Sequence, residues 1–196
     1  MAPLFSYPEN APTKSLEEWT NLKKEQFPPE NRLTDNQVSA VLFAIKKMLD
    51  AIVRNEGEPD VVQISGGEPT IHPEFFEILD YAKTLPIRHL MVNTNGIKIA
   101  KDFTFAEKLT TYTPDFEIYL QFDSLNNQVL QTLRGADLAE TRLKALENLN
   151  KLNLSTTLVV TLQKGLNDDE IGEITNYALR QKCVRGVTFQ PTQIAG

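Results

Sequence analysis

The sequence predicts an α/β domain built on a parallel β-sheet, and three observations support this fold class. Five short apolar segments rich in β-branched residues alternate with segments of helical periodicity. One strand and one helix together take roughly 30 residues, the size of a βαβ unit. Each apolar segment also ends in glycine or polar residues. Such alternation implies parallel strands joined by right-handed crossovers.

The N-terminal third of the chain predicts an irregular arm followed by a helix. Residues 1–33 contain several prolines and one short helical candidate at 15–24, so we expect an irregular arm there. Thr34-Asp35-Asn36-Gln37 is a capping-box signature, and apolar residues at helical spacing follow it up to Ile52. We therefore expect two parts, an arm at 1–33 and an α/β core at 34–196.

The first predicted strand, at 61–65, leads into an unusual turn. Its apolar residues indicate a buried strand, and Gly66, Gly67, Glu68 and Pro69 follow it directly. Two adjacent glycines let the backbone turn sharply and approach a ligand closely, because neither has a Cβ. Pro69 keeps Glu68 extended. This places Glu68 at the carboxyl end of a strand, where α/β sheets and barrels bind their ligands.

The remaining elements alternate in the same way. Strands are predicted at 89–92, 117–122, 156–161 and 186–189, and helices at 73–83, 103–109, 127–133, 138–152 and 169–180. Pro73 is expected at the first position of its helix, where proline is favoured.

Polar residues follow all five predicted strands. They are Glu68; Asn93 and Asn95; Gln121 and Asp123; Thr161 and Asn167; and Gln190. At any one strand, these residues could be ordinary turn formers. Because the carboxyl ends of parallel strands converge, five such ends in succession favour a ligand-binding mouth.

The composition indicates which binding partners and which cellular location to expect. The net charge is −6 and no basic stripe is present, which argues against a nucleic-acid or anionic-membrane partner. No apolar run approaches the length of a membrane span, and the N-terminus lacks a signal-peptide pattern. A single cysteine, Cys183, excludes an internal disulfide framework and fits a reducing, cytoplasmic location.

The strand-end motifs resemble those of the radical S-adenosylmethionine (radical SAM) superfamily. The motifs are Ser65-Gly66-Gly67-Glu68-Pro69-Thr70, Asn93-Thr94-Asn95-Gly96, Gln121-Phe122-Asp123-Ser124 and Leu133-Arg134-Gly135. Their order along the chain carries the resemblance, which runs from about residue 36 to the end. Within the superfamily the chain is most similar to archaeal and bacterial Fe–S oxidoreductase-like proteins, some of which alkylate or methylate unactivated carbons.

The resemblance implies a partial (β/α)₆ barrel and a shared chemistry. In the family, three cysteines of a Cys-x₃-Cys-x₂-Cys loop hold a 4Fe–4S cluster, and its open iron binds the amino and carboxylate groups of SAM. An electron from the cluster, supplied by a reductant, cleaves SAM to methionine and a 5′-deoxyadenosyl radical. The radical abstracts hydrogen from a small-molecule substrate.

The resemblance also implies roles for the residues of the glycine turn. The backbone of Gly66 and Gly67 would approach the methionine ammonium, with Glu68 as its anionic partner next to Pro69. A charge-assisted hydrogen bond of that kind contributes about 1.5–3 kcal/mol.

Other positions are implied around the rest of the cofactor. Asp123, Ser124 or Gln121 would face the ribose hydroxyls, and Arg134 would bind the SAM carboxylate through its forked guanidinium. The remaining expected cofactor residues are Asn93 and Asn95, together with Asn167 and Gln190 near the carboxylate or adenine. No catalytic residue and no metal ligand is expected in this chain.

Several of these residues could instead have purely structural roles. Glu68 could be an exposed turn acid, and Asn93 and Asn95 could be turn formers. Arg134 could complement a helix C-terminus, and Asp123 could cap the following helix.

The histidines and the cysteine of the sequence do not indicate a metal site. His72 and His89 lack ligand spacing, so we expect no histidine metal site. Cys183 is expected to be a packed structural thiol.

The chain departs from the family pattern in its cysteines. A cluster of this type needs thiolate ligands, and the single cysteine is not in the expected place; Ala2-Pro3-Leu4-Phe5 lies about where the loop would be. The first barrel strand is also missing from the pattern. The sequence therefore predicts the truncated core of a longer enzyme, inactive by itself.

Two other interpretations remain. One is a cluster-less pseudo-enzyme or binding module that uses the barrel mouth for another amino-bearing small molecule. The other is an unrelated phosphate- or nucleotide-binding domain, with the glycines cradling an anion. The glycine spacing matches neither common phosphate-binding motif, and Glu68 would repel a phosphate.

Overall fold

A computed structural model describes residues 35–192 of the chain, with side chains from residue 37 onward. The strands are β1 (Val62–Ile64), β2 (Leu90–Thr94), β3 (Phe116–Gln121), β4 (Thr156–Leu162) and β5 (Val184–Pro191). The helices are α1 (Asp35–Glu56), α2 (Phe75–Lys83), α3 (Ile97–Lys101), α4 (Phe103–Leu109), α5 (Asn127–Arg134), α6 (Ala139–Leu152) and α7 (Ile171–Leu179). The predicted arm, its helical candidate at 15–24 and the capping residue Thr34 lie outside the described residues.

The five strands form one parallel sheet in the order β1-β2-β3-β4-β5. This confirms the predicted α/β class with parallel strands. Over residues 35–192 the sheet stays open, since β1 pairs only with β2 and β5 only with β4. All carboxyl ends lie along one edge, which is the edge that the sequence predicts for a ligand site.

The two faces of the sheet differ in polarity. In β3, Ile118 and Leu120 are fully buried, and they belong to the same apolar core as Leu109, Leu149 and other helix residues. Alternate residues point to the opposite face because successive side chains in a strand alternate. There Glu117, Tyr119 and Gln121 are only half-buried. The helices therefore cover one face and leave a more polar one.

Cys183 lies at the far end of the sheet from Glu68. It directly precedes β5, and its carbonyl accepts a hydrogen bond from the Thr156 amide at the start of β4. The thiol is fully buried, as expected of a structural cysteine, and burial raises its pKa. Among the described residues no three His, Cys, Asp or Glu side chains group as metal ligands would. None of the helices within residues 35–192 could cross a bilayer.

Three local predictions need correction. The first strand is short, covering Val62–Ile64 at the edge of the described sheet. Val62 is buried in the core but Gln63 is exposed, so the strand is buried on one face only. The helix predicted from Pro73 begins at Phe75, because a 3₁₀ turn at Pro69–Ile71 comes first and Glu74 occupies the position before the helix. The proline at a first helical position is Pro69, which begins the 3₁₀ turn, and not Pro73. Helix α3 was not predicted; it begins after Gly96, whose φ of 77° starts the turn.

Candidate cofactor site

Glu68 is anchored at the junction between β1 and β2. Its Oε1 accepts hydrogen bonds from Thr70 Oγ1 at 2.6 Å, from the Thr70 amide at 3.2 Å and from Thr94 Oγ1 at 2.7 Å. Its Oε2 accepts one from the Asn95 amide at 2.7 Å. Glu68 is thus not a solvated turn acid. It joins the ends of two neighbouring strands and stays half-buried.

All of these donors are neutral. Within residues 37–192, Glu68 forms no ion pair with a lysine, arginine or histidine. A half-buried carboxylate whose protein partners are neutral donors can still accept an ammonium group. The site therefore has an oriented negative charge without a described counter-charge.

The glycines before Glu68 leave space at the turn. Gly66 and Gly67 have φ values of 108° and 53°, which other residues rarely adopt. Apart from the residues next to it in the chain, no described residue has an atom within 4 Å of the position that a Cβ would take at either glycine. Positive φ explains why glycine occurs here, and the open space lets a ligand approach the backbone.

Asp123 forms a charged centre after β3. It is fully buried, with a φ of 65°. Arg134 donates to it through Nε and Nη2, both at 2.8 Å, and Arg142 donates through Nη2 at 3.0 Å. The Thr161 amide adds a hydrogen bond at 3.2 Å, which ties β3 to β4.

The two arginines keep Asp123 ionised despite its burial. Burial raises the pKa of the Asp123 carboxyl, but the hydrogen bond from Arg134 and the charges of Arg142 and Arg134 lower it further, so the net shift is below the usual value. Burial also lowers the pKa of Arg142 to about 10 while Asp123 opposes that shift. Asp123 and Arg142 are therefore both charged at neutral pH.

The loop after β4 is bonded to the same centre. Asn167 is fully buried, and its Nδ2 donates to the carbonyls of Asp123 and Thr161. Its Oδ1 accepts from the Gln163 amide at 2.8 Å. Ser124 is also buried and donates from Oγ to Glu170 Oε2 at 2.5 Å. Asn167 and Ser124 therefore hold loops in place.

The remaining predicted residues lie on the polar face. Gln121 Nε2 donates to Asn93 Oδ1 at 3.3 Å, so these two half-buried side chains meet across β2 and β3. Asn95 Oδ1 accepts from the Ile97 amide, as a turn former does, while its main chain contacts Glu68 and Arg142. Gln190 is exposed, with Nε2 at 3.5 Å from the Tyr119 hydroxyl.

One of the local alternatives is now excluded, and Arg134, a basic residue in the last turn of α5, also bonds to Asp123. Asn126 caps α5 by accepting from the Gln128 amide, so Asp123 is not its cap. Gly135, with a φ of 70°, ends α5, and the Arg134 guanidinium reaches Asp123 and also Thr161 Oγ1 at 3.1 Å.

Arg142 was missed at the sequence level. It is 2% exposed, and it donates from Nη1 to the carbonyls of Asn95 and Gln121. A signal was present, because Leu138, Arg142, Ala145 and Leu149 share the spacing of one buried helical stripe. An arginine in an apolar stripe indicates a buried charge that needs partners.

Comparison with known proteins assigns the family. Residues 31–178 match the model of the radical SAM superfamily. A 7,8-dihydro-6-hydroxymethylpterin dimethyltransferase from Methanocaldococcus jannaschii is 34% identical over 154 residues, covering 78% of this chain and 30% of the relative. A probable GTP 3′,8-cyclase from Pyrococcus abyssi is 29% identical, covering 60% of this chain and 37% of the relative.

A solved structure shares the fold. Streptococcus suis SuiB bound to S-adenosylmethionine matches with a TM-score of 0.53 at 19% identity, covering 69% of this chain and 30% of that one. The chain therefore spans about a third of the length of these relatives. On the family match over most of its length, the chain belongs to the radical SAM superfamily.

Proposed function

We propose that this chain forms the SAM-binding part of a radical SAM enzyme that acts on a small molecule. In the whole enzyme, a reduced 4Fe–4S cluster would cleave SAM and start hydrogen abstraction from the substrate. The carboxyl end of the sheet would hold the cofactor. Because the chain spans about a third of its relatives, the activity of the whole protein is part of the proposal.

The uncompensated charge of Glu68 carries the proposal. Its carboxylate is held by four neutral hydrogen bonds, lacks an ion pair within residues 37–192, and lies next to the open backbone of Gly66 and Gly67. The ammonium of methionine would supply the missing positive charge. A hydrogen bond to a charged group contributes about 1.5–3 kcal/mol, which is enough to orient the amino-acid end of SAM.

The rest of the cofactor would extend along the strand ends. Arg134 is half-buried and would meet the SAM carboxylate at the edge of the Asp123 centre. Gln121 and Asn93 would face the ribose, since Asp123 and Ser124 are engaged within the protein. Gln190 would lie towards the adenine. Asn167 would not contact the cofactor; it would fix the main chain at Asp123 and Thr161 through its hydrogen bonds to their carbonyls.

The residues of this chain fit SAM but do not fit a 4Fe–4S cluster. A 4Fe–4S site needs several thiolates, and Cys183 is the single cysteine of the sequence. It lies buried at the amino end of β5, across the sheet from Glu68. We propose that any cluster ligands come from outside these 196 residues, and that the chain by itself does not cleave SAM.

The missing thiolates favour a second candidate, a binding module without a cluster. It would use the same Glu68 pocket for SAM or another amino-bearing molecule and would perform no radical chemistry. Both candidates require Glu68 to bind an ammonium group.

Calorimetric titration of the full chain with SAM tests the shared step. We expect saturable binding that Glu68→Gln weakens about 10- to 100-fold, the effect of losing one charge-assisted bond. Glu117→Gln is the matched control, because Glu117 is a half-buried acid at the start of β3, paired with His89. 5′-Methylthioadenosine, which lacks the amino-acid group, should bind both variants equally. Equal SAM affinity in wild type and Glu68→Gln would refute the proposal.

Anaerobic reconstitution tests the proposal that this chain does not cleave SAM by itself. The chain would be incubated with iron, sulfide and dithionite, and 5′-deoxyadenosine would be measured after addition of SAM. We expect none from the chain by itself. Production of 5′-deoxyadenosine would show that this chain holds a cluster, and would exclude the binding-module candidate.

A further inference from the structure

We propose that Arg142 is a positioning residue that holds the Glu68 side and the Asp123 side of the site in one fixed arrangement. The inference rests on the proposed function for its ligand, SAM, but its geometry does not. Arg142 belongs to α6, outside every strand-end motif, and nothing in the family match assigns it a role.

Arg142 lies between two anchored carboxylates. The Asn95 main chain links it to Glu68, because the Asn95 amide donates to Glu68 Oε2 at 2.7 Å and the Asn95 carbonyl accepts from Arg142 Nη1 at 3.3 Å. On the other side, Arg142 Nη2 donates to Asp123 Oδ2 at 3.0 Å. One guanidinium thus connects the ends of β2 and β3 with the charged centre.

The connection extends over four strand ends. Glu68 follows β1 and binds the end of β2 through Thr94 and Asn95. Arg142 also donates to the carbonyl of Gln121, the last residue of β3. Asp123 then binds the Thr161 amide in β4. A ligand whose ammonium meets Glu68 and whose carboxylate meets Arg134 needs this spacing to stay constant.

Arg142 contacts only protein groups, as a positioning residue does. Its side chain is 2% exposed, so a ligand cannot reach it directly. Its Nε is buried without a partner among the described residues, while both terminal nitrogens are bonded. Replacing a buried ion pair by apolar residues is often neutral or stabilising, so stability alone does not account for such a residue. Lysine, with one ammonium, cannot reproduce the planar fork.

Two variants of the full chain test the inference. Arg142→Met keeps most of the side-chain volume and removes the charge, and Arg142→Lys keeps the charge and loses the fork. Asn148→Ala is the matched control: Asn148 is also a buried polar residue of α6, and its Nδ2 donates to the carbonyls of Ile99 and Ala100, away from the strand ends.

The first readout needs no ligand. The amides of Asn95 and Thr161 each donate to a carboxylate, and neither contacts Arg142 directly. In ¹⁵N-resolved NMR spectra both amide signals should shift in Arg142→Met and, to a smaller extent, in Arg142→Lys. They should stay in place in Asn148→Ala. A purely structural role of Arg142 would lower the melting temperature and leave the SAM affinity of the folded variant unchanged.

The second readout is SAM affinity, measured at a temperature where each variant is folded. We expect a loss of about tenfold or more for Arg142→Met, the effect of misplacing one charge-assisted contact, and wild-type affinity for Asn148→Ala. If Arg142→Met does not fold, Arg142→Lys gives the same two readouts with smaller changes.

The outcomes separate this inference from the proposed function. Unmoved Asn95 and Thr161 amides, or wild-type SAM affinity in both Arg142 variants, would overturn the positioning role. If the wild-type chain itself fails to bind SAM, the proposed function fails, and the amide shifts still decide whether Arg142 sets the geometry of the strand ends.

Discussion

The two sides of the site contain the same chemical group in opposite environments. Glu68 is a half-buried carboxylate held by neutral donors, with no ion pair in the described part of the chain. Asp123 is a fully buried carboxylate held by two arginines. Both follow strands of the same sheet, yet among the described residues Glu68 has no ion pair and Asp123 has two.

The different environments of the two carboxylates fit different roles, ligand binding for Glu68 and structural support for Asp123. Taking a carboxylate out of water is costly unless positive charge and hydrogen bonds replace the water, and Asp123 has both. Glu68 keeps partial contact with solvent, so it needs no internal cation. We infer that the Asp123 side is the rigid part of the site and that the Glu68 side is the part that recognises a ligand.

The largest expected effect is on the Asp123 side. Asp123→Asn would leave Arg134 and Arg142 without their anion, and we expect the free energy of unfolding in urea to fall by about 3–5 kcal/mol. Asp115→Asn is the control, because Asp115 also has a positive φ, 61° against 65°, but is exposed. Its expected change is below about 0.5 kcal/mol. A loss below about 0.5 kcal/mol in Asp123→Asn as well would show that the buried charges do not decide the cost.

Two glycines test how open the Glu68 side is. A Cβ on Gly96 would lie 2.6 Å from Leu120 Cδ1 and 3.2 Å from the Ala145 Cβ, whereas one on Gly67 would meet no described atom. Both have positive φ. We expect urea unfolding to show a loss of about 2–4 kcal/mol for Gly96→Ala and about 1–2 kcal/mol for Gly67→Ala, where only backbone strain acts. Equal losses would mean that Gly67 is packed as tightly as Gly96.

The smallest effect is expected from pH. The pKa of Asp123 is lowered in the folded state, so its contribution to stability is fully present above the unfolded pKa of about 3.9 and is lost as pH falls through the lower folded value. The difference in unfolding free energy between wild type and Asp123→Asn should therefore narrow below about pH 4. A difference that stays constant between pH 7 and pH 2 would contradict ionisation of the buried carboxyl.

Local patterns predicted much of the fold. The strand predicted at 61–65 and the helix predicted at 103–109 each follow from a few neighbouring residues, and the structure has a strand at Val62–Ile64 and a helix at Phe103–Leu109. Periodicity and turn chemistry are short-range properties, so they appear in a single sequence. The same holds for the polar residues at the strand ends.

The errors have long-range causes. Whether β1 is buried depends on what pairs with its outer edge, and its apolar composition does not reveal this. The start of α2 depends on the 3₁₀ turn that Glu68 caps, with a side-chain bond to the Thr70 amide. Arg142 bonds to residues 19 to 47 positions away, a separation at which helical spacing carries no information about partners.

By itself, the sequence determined the alternation of strands and helices, the placement of Glu68 and Asp123 after strands, and membership of the radical SAM superfamily through the order of those motifs. Only the tertiary structure decided which carboxylate is paired with arginines and which has no ion pair among the described residues. The reason is physical: the charge balance of a buried group depends on every element packed around it, and these elements come from distant parts of the chain.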